Sequence, residues 1–258
     1  MKKVLMLMFC VIMALAMAGC GGGEKKTETQ AAGKVLKVAT DANFPPFEYY
    51  QEKSKAHTGF DIDLMNAVAK EMGYEKVEFV NVEFKDIFNG LSEKKYDAAI
   101  AGITITPERE RVAEFSEPYV EDGYKIIVSK KAAPSDDFSS LEGKTVAAEE
   151  GSYALEMVKN NTKNAKIIPV HDTEAGIKLV ADGKADALVV SKIAASFFIA
   201  NNYGEKVRFA GDKVLYADKI GIAVARGNNE LEKKINKALK EVKRSGEYNK
   251  IYSSYFGK

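Results

Sequence analysis

The chain has 258 residues, with 38 lysines and arginines against 37 aspartates and glutamates and a formal net charge of +1. The two signs are interspersed without a basic block, which argues against a nucleic-acid partner. Both cysteines, Cys10 and Cys20, lie in the first twenty residues, so the chain beyond them has no disulfide, thiol nucleophile or cysteine metal ligand.

Lys2-Lys3, an apolar run from Val4 to Ala18 and then Gly19-Cys20 have the charged, apolar and small-residue regions of a secretory signal, and the run is short for a membrane span. Leu15-Ala16-Met17-Ala18-Gly19-Cys20 resembles a bacterial lipoprotein box, apart from Met17 where an aliphatic residue is usual. The resemblance implies that residues 1–19 are a signal peptide and that a lipid on Cys20 holds the protein at the extracytoplasmic face of the cell membrane. An ordinary signal or an uncleaved anchor is the alternative. Gly21 to Gln30 is small and polar, so 20–33 reads as a flexible tether. The roughly 225 residues beyond it suffice for one large domain or two lobes of about 100.

Val35 to Thr40 reads as the first strand, ending in Asp41-Ala42-Asn43-Phe44-Pro45-Pro46-Phe47, a loop stiffened by two prolines. Phe60, Leu64, Ala67 and Val68 fall on one helical face, with Gly73 as C-cap. A second strand is expected over 77–82, a second helix over 85–94 and a third strand over 97–101. The βαβαβ alternation argues for a parallel sheet covered by helices, with ligands beyond the carboxyl ends of its strands. Asp41, Phe44 and Phe84 fall there.

The third strand leads into Ala101-Gly102-Ile103-Thr104-Ile105-Thr106-Pro107-Glu108-Arg109, where Thr106-Pro107-Glu108 has the N-cap, first-turn proline and acidic residue of a helix start. At such a junction Gly102 has no side chain to hold a ligand off the backbone. Free N–H groups, two hydroxyls and the Arg109 guanidinium can converge there on an anion. The stretch reads as a carboxylate clamp; the alternative is a capped helix with a solvated arginine.

The second half repeats this grammar, with strands over 145–148, 166–170 and 185–191 and helices over 153–160 and 173–181. Two similar lobes are implied. Aligning Asp97-Ala98 with Asp186-Ala187 places Ser191 opposite Gly102 at its own strand end. Ile220 to Ala225 is apolar enough for another strand. A long helix follows, with Leu231, Ile235, Ala238, Leu239 and Val242 as its inward stripe and Gly246 past its end. Tyr248, Ile251, Tyr252, Tyr255 and Phe256 make a terminal amphipathic segment that packs onto a sheet or serves a partner.

Signatures of catalysis are missing. Gly143-Lys144-Thr145 lacks the upstream glycine of a phosphate loop, position 138 being Phe138, and it enters a strand instead of leaving one. His57 and His171 have no paired spacing, so no metal is expected, and no serine sits in a G-x-S-x-G elbow. What remains suits binding: the clamp, aromatic surfaces at Phe44 and Phe84, and carboxylates at Asp41, Glu149 and Glu150. An arginine and carboxylates facing one cleft complement a zwitterion.

Val38 to Phe47, Gly59-Phe60-Asp61-Ile62-Asp63-Leu64, Ala101 to Arg109, Phe115-Ser116-Glu117-Pro118-Tyr119 and Ala185-Asp186-Ala187 together resemble the extracellular amino-acid-binding proteins of ABC importers. This is solute-binding protein family 3, which includes glutamine-, histidine- and lysine/arginine/ornithine-binding proteins. The resemblance covers nearly everything after the tether. It implies an α/β, two-lobed fold of the type II periplasmic-binding-protein kind, two parallel-type lobes joined by two crossing hinge strands. Residues 34–120 and 217–258 would form lobe 1 and residues 121–216 lobe 2. The implied function is that of a monomer, without cofactor, that captures a polar amino acid between closing lobes and delivers it to a membrane permease. In the segment from Ala101, Arg109 would grip the ligand α-carboxylate with the Thr104 hydroxyl, the N–H groups near Gly102 and Thr104, and Ser152. The Gly102 carbonyl and Thr104 would take part of the α-ammonium. Phe44 and Phe84 would sandwich the ligand, and Asp41 would meet a polar or cationic side chain.

One position departs from that pattern. An aspartate of the second lobe completes the ammonium site in these relatives, and the matching residue here is Ser191. An ion-paired hydrogen bond contributes on the order of 1.5–3 kcal/mol, so its loss without substitution weakens an amino acid roughly tenfold to a hundredfold. Either another carboxylate replaces it, with Glu149 and Glu150 as the candidates, or the ligand differs. With one of them on the ammonium and Asp41 on the side chain, a cationic amino acid fits. The competing reading is a cyclohexadienyl or arogenate dehydratase of the same fold, with Glu149 or Glu150 as general acid. A third is a sensor or adhesin surface.

Overall fold

The computed structural model describes residues 33–257 apart from Glu52 and Pro134. The expected signal, the expected lipidation site Cys20 and all but the last residue of the expected tether lie outside the described residues. β1 (Val35–Thr40) leads into a small antiparallel sheet of β2 (Asn43–Phe44), β3 (Glu48–Gln51) and β4 (Ala56–Thr58), followed by α1 (Phe60–Glu71) and β5 (Lys76–Asn81). A 3-10 turn over Phe84–Asp86 precedes α2 (Ile87–Ser92), and β6 (Ala98–Ala99), β7 (Ala113–Phe115) and β8 (Val120–Ser129) come next. The second half runs β9 (Thr145–Glu149), α3 (Tyr153–Asn161), β10 (Lys166–Val170), α4 (Thr173–Ala181), β11 (Ala187–Ser191), α5 (Lys192–Phe198) and β12 (Val207–Phe209). The chain then returns through β13 (Tyr216–Ile220) and β14 (Ala223–Ala225) to α6 (Asn229–Arg244) and α7 (Glu247–Phe256).

Two lobes result, each built on one sheet. The first has the order β5-β1-β6-β14-β7, parallel from β5 to β6 and antiparallel beyond. The second has the order β10-β9-β11-β8-β12, with parallel β10, β9 and β11 and antiparallel β8. Both sheets are covered on both faces, which is why the inner strands β6, β9 and β11 are largely apolar and buried. Leu36 and Val38 of β1 enter the core beneath α1 and α6, while Ala39 points to the core that holds Ile87 and Leu91 of α2. Likewise Ala187 and Val189 of β11 pack with α3, and Leu188 and Val190 with α4 and α5. The period of two sorts side chains between faces.

β8 and β13 pair antiparallel across the lobe boundary, Val120 opposite Ile220 and Asp122 opposite Asp218. Val120 and Ile220 sit in the first lobe's core, and Tyr124, Ile126 and Val128 in the second's. These are the two crossing strands. α6 follows from its sequence most directly: Leu231, Ile235, Ala238, Leu239 and Val242 are buried, Asn228 caps the first turn, and Gly246 leaves it at φ 83°. Each such apolar side chain contributes about 1.5–3 kcal/mol relative to exposure.

Three expectations need correction. The loop after β1 contains β2, pinned to β3 by antiparallel pairing. The helix expected from Thr106 is a single 3-10 turn, Arg109–Arg111, because the chain must straighten by Ala113 to pair with β14. Thr106 still acts as a cap, its Oγ1 accepting the Arg109 N–H at 3.2 Å. The strand expected over 220–225 breaks after Ile220, since β13 belongs to the crossing pair and β14 to the first sheet. Gly221 stands at the break, where a Cβ would lie 2.8 Å from the Ile105 side chain.

Candidate ligand-binding site

Parallel strands of both sheets end at one cleft. β1 delivers Asp41, β6 delivers Ala101 and Gly102, β9 ends on Glu149 and β11 on Ser191. The cavity they border has about 510 Å³ of free space, open solvent at its mouth included. Asp41, Phe44, Phe84, Ala101, Gly102, Glu149, Ser152 and Ser191 line it, so residues from both lobes meet there. Thr104 and Arg109 are buried beside the cavity, while Glu150 is exposed and lines a separate groove with Ile168, Pro169 and His171.

Backbone geometry explains the clamp. Gly102 has φ 55°, and a Cβ there would approach the Phe44 ring to 2.8 Å, so glycine lets the chain lie against the aromatic wall. Its N–H is taken by Asp61 Oδ2 at 2.9 Å, and the Tyr119 hydroxyl donates to the same oxygen at 2.7 Å. That N–H is therefore not free for an anion, contrary to the sequence expectation. Asp61 is wholly buried, and burial pushes its carboxyl up to about 6.

Arg109 is also buried. Nη1 donates to the Thr104 carbonyl at 2.8 Å, Nη2 to the Gly151 carbonyl of the other lobe at 3.2 Å, and the guanidinium lies 5.3 Å from the Phe84 ring and 5.5 Å from Phe88. A guanidinium carries five N–H donors, and these bonds use two of them. Phe84 thus has the arginine against its ring, while Phe44 stacks on Phe47 at 5.4 Å between centroids. The Thr104 hydroxyl donates to Asp218 Oδ2 at 2.7 Å and lies 2.8 Å from the Tyr124 hydroxyl. Ser152 caps α3: Oγ donates to the Glu149 carbonyl at 2.7 Å and accepts the Leu155 N–H at 3.2 Å. The first N–H groups of α3 have no partner within the helix and stand at the cavity, where an anion is favoured.

The acidic side of the cleft is the more unusual. Asp41 accepts the Phe84 N–H at 3.0 Å, yet burial raises it to about 6. Burial, then the neighbouring Asp41 and Asp172, push Glu149 to about 8, with Arg109 pulling the other way. Glu150, its neighbour, instead pairs with Lys85 of the first lobe at 3.2 Å. Sequence reasoning passed over Glu48, which lines the same cavity and is fully buried beside Asp61. Burial, then the charge of Asp61 and a hydrogen bond shared with it, hold the Glu48 carboxyl well above the usual carboxylate range. Its signal was a lone charge between Phe47 and Tyr49. Asn43, Tyr124 and Thr173 also line the cavity. Asp122 and Asp218 stand behind it on the crossing strands, and no local pattern marked them.

Comparison with known proteins puts this site in context. Residues 36–258 match the family model for bacterial extracellular solute-binding proteins, family 3. A probable histidine-binding protein of Neisseria gonorrhoeae is 35% identical over 95% of this chain and 92% of its own. The arginine-binding extracellular protein ArtP of Bacillus subtilis is 32% identical over 99% of this chain and 98% of its own. Among solved structures, an ancestral arginine-binding protein bound to glutamine superposes with a TM-score of 0.81 at 38% identity, covering 87% of this chain and 98% of the other.

Proposed function

The chain belongs to the bacterial extracellular solute-binding proteins, family 3, and from that premise we propose that its cleft captures a cationic amino acid, with arginine the first to test. The observation that carries this reading is that Asp41 of one lobe and Glu149 of the other line one cavity and are both held above their ordinary pKa by burial, with their mutual repulsion adding to it at Glu149. A cationic side chain between them favours the ionised forms and draws the lobes together. Arg109, with the N-terminus of α3, takes the ligand α-carboxylate. Phe44 and Phe84 wall the ligand between.

In this account residues 34–120 and 217–258 form one lobe and residues 121–216 the other. A lipid on Cys20 tethers them outside the membrane, and the liganded form hands its cargo to an ABC permease. The high pKa of Glu149 would also suit the general acid of a dehydratase. The relatives are binding proteins, however, and the chain is a binding protein rather than an enzyme.

The test is the melting temperature of the full-length protein, refolded free of carried-over ligand, with each amino acid and with arogenate and prephenate. A ligand at a hundred times its dissociation constant adds about 2.7 kcal/mol. Shifts with arginine, lysine or histidine support the reading. A shift with only arogenate or prephenate overturns it.

A further inference from the structure

An amino acid carries an ammonium beside its carboxylate, and Ser191 is one of the polar side chains on the cavity wall that can accept from it. Ser191 ends β11, lines the cavity and is buried. Its Oγ accepts the Ala194 N–H at 3.1 Å as the cap of α5 and gives its proton to Asp122 Oδ2 in a short hydrogen bond. With its proton committed, the hydroxyl meets the cavity as an acceptor, and a hydrogen bond to a carboxylate polarises it further in that sense.

Asp122 is buried on β8, its Oδ1 held by the Ile193 N–H at 3.3 Å. It faces Asp218 across the crossing strands, a like-charge juxtaposition that a cation or a retained proton relieves, and burial raises both carboxyls above their ordinary range. Asp218 adds a buried Oδ1 with no partner among the described residues, and Lys192 lies near Asp122 without an ion pair to it.

Resting on the amino-acid reading above, we propose that Ser191 and Asp122 together form the ammonium site: Ser191 Oγ accepts from the ligand ammonium, and Asp122 behind it supplies the negative charge through the hydroxyl. Ser191 touches the ligand, and Asp122 is a positioning residue that acts through it. The carboxylate stands one residue deeper, on the hinge strand, so ammonium binding is tied directly to the pair of strands about which the lobes close.

The experiment is calorimetric titration of the full-length protein with two pairs of probes, arginine with 5-guanidinopentanoate and glutamine with 4-carbamoylbutanoate. The second of each pair is the first without its α-amino group. We expect Asp122→Asn to weaken the amino acid roughly tenfold to a hundredfold and to leave the des-amino probe unchanged. Combining it with Ser191→Asp, which moves the carboxylate onto the cavity wall, recovers the amino acid. Equal loss of both probes makes Asp122 merely structural and overturns the proposal, as does an unchanged amino-acid affinity. Should Asp122→Asn not fold, Ser191→Ala is read instead and must show the same selective loss. Wild-type protein that binds neither amino acid sinks the amino-acid reading itself, and this one with it.

Discussion

Lys85 Nζ lies 2.9 Å from Glu83 Oε2 on its own side of the cleft and 3.2 Å from Glu150 Oε2 on the other. One ammonium therefore ties the loop before α2 to the loop after β9, next to Glu149, which lines the cavity. Adjacent carboxylates at 149 and 150 thus have different surroundings: one is enclosed near Asp41, the other solvated and paired.

Glu150→Gln should change ligand affinity less than about fivefold, because an exposed ion pair is weak, and the difference should fade as salt is raised to about 0.5 M. Glu149→Gln should weaken a cationic ligand at least tenfold at any salt. Calorimetry on both variants at two ionic strengths checks this, and unchanged affinity in both would remove the carboxylates from the account.

Arg109→Ala should weaken the ligand by about 2–5 kcal/mol, since it leaves a buried carboxylate without its partner. Arg109→Lys should not restore affinity, because a lysine has no planar fork to bond a carboxylate and two carbonyls at once. Titration of the two variants with the same amino acid distinguishes the fork from the charge.

The pH dependence should have opposite signs with and without ligand. Glu149 is raised from 4.5 to about 8 and Asp41 from 3.8 to about 6. Between the lower and upper values the unfolded chain has released these protons while the native protein keeps them, so ligand-free stability falls as pH rises, from 3.8 to about 6 for Asp41 and from 4.5 to about 8 for Glu149. A cationic ligand favours the ionised forms, so its binding expels protons and its affinity rises through the same window. Melting curves and titrations from about pH 5 to about pH 8 read both slopes, and Glu149→Gln should flatten each.

Gly102→Ala should cost about 1–2 kcal/mol of stability from the left-handed backbone alone, and its Cβ at 2.8 Å from Phe44 should displace that ring and weaken binding as well. A variant that melts and binds like the wild type would remove the close approach from the account.

Elements with strong local periodicity were legible in the sequence. The stripe of α6, the alternation of β1 and the repeated strand–helix units sufficed for a two-lobed α/β fold. Residues at strand ends, such as Asp41 and Gly102, were legible for the same reason. What escaped depends on pairing between distant segments. β13, with Asp218 and Lys219 between Ala217 and Ile220, has no apolar alternation and gains its meaning from β8, about ninety residues earlier, so nothing local singled out Asp122 or Asp218. Thr106-Pro107-Glu108 carries a true helix-start pattern, but pairing of Ala113–Phe115 with β14 overrides it after one turn. Glu48 was hidden because a buried carboxyl runs against what charge ordinarily signifies.

The most direct test of the central claim is the affinity of the full-length protein for arginine against citrulline, its neutral isostere, by calorimetry near pH 8. The account predicts arginine preferred by roughly tenfold to a hundredfold, as charge-assisted hydrogen bonds to Asp41 and Glu149 require, and predicts that Asp41→Asn with Glu149→Gln removes the preference. Citrulline bound as tightly as arginine would contradict it.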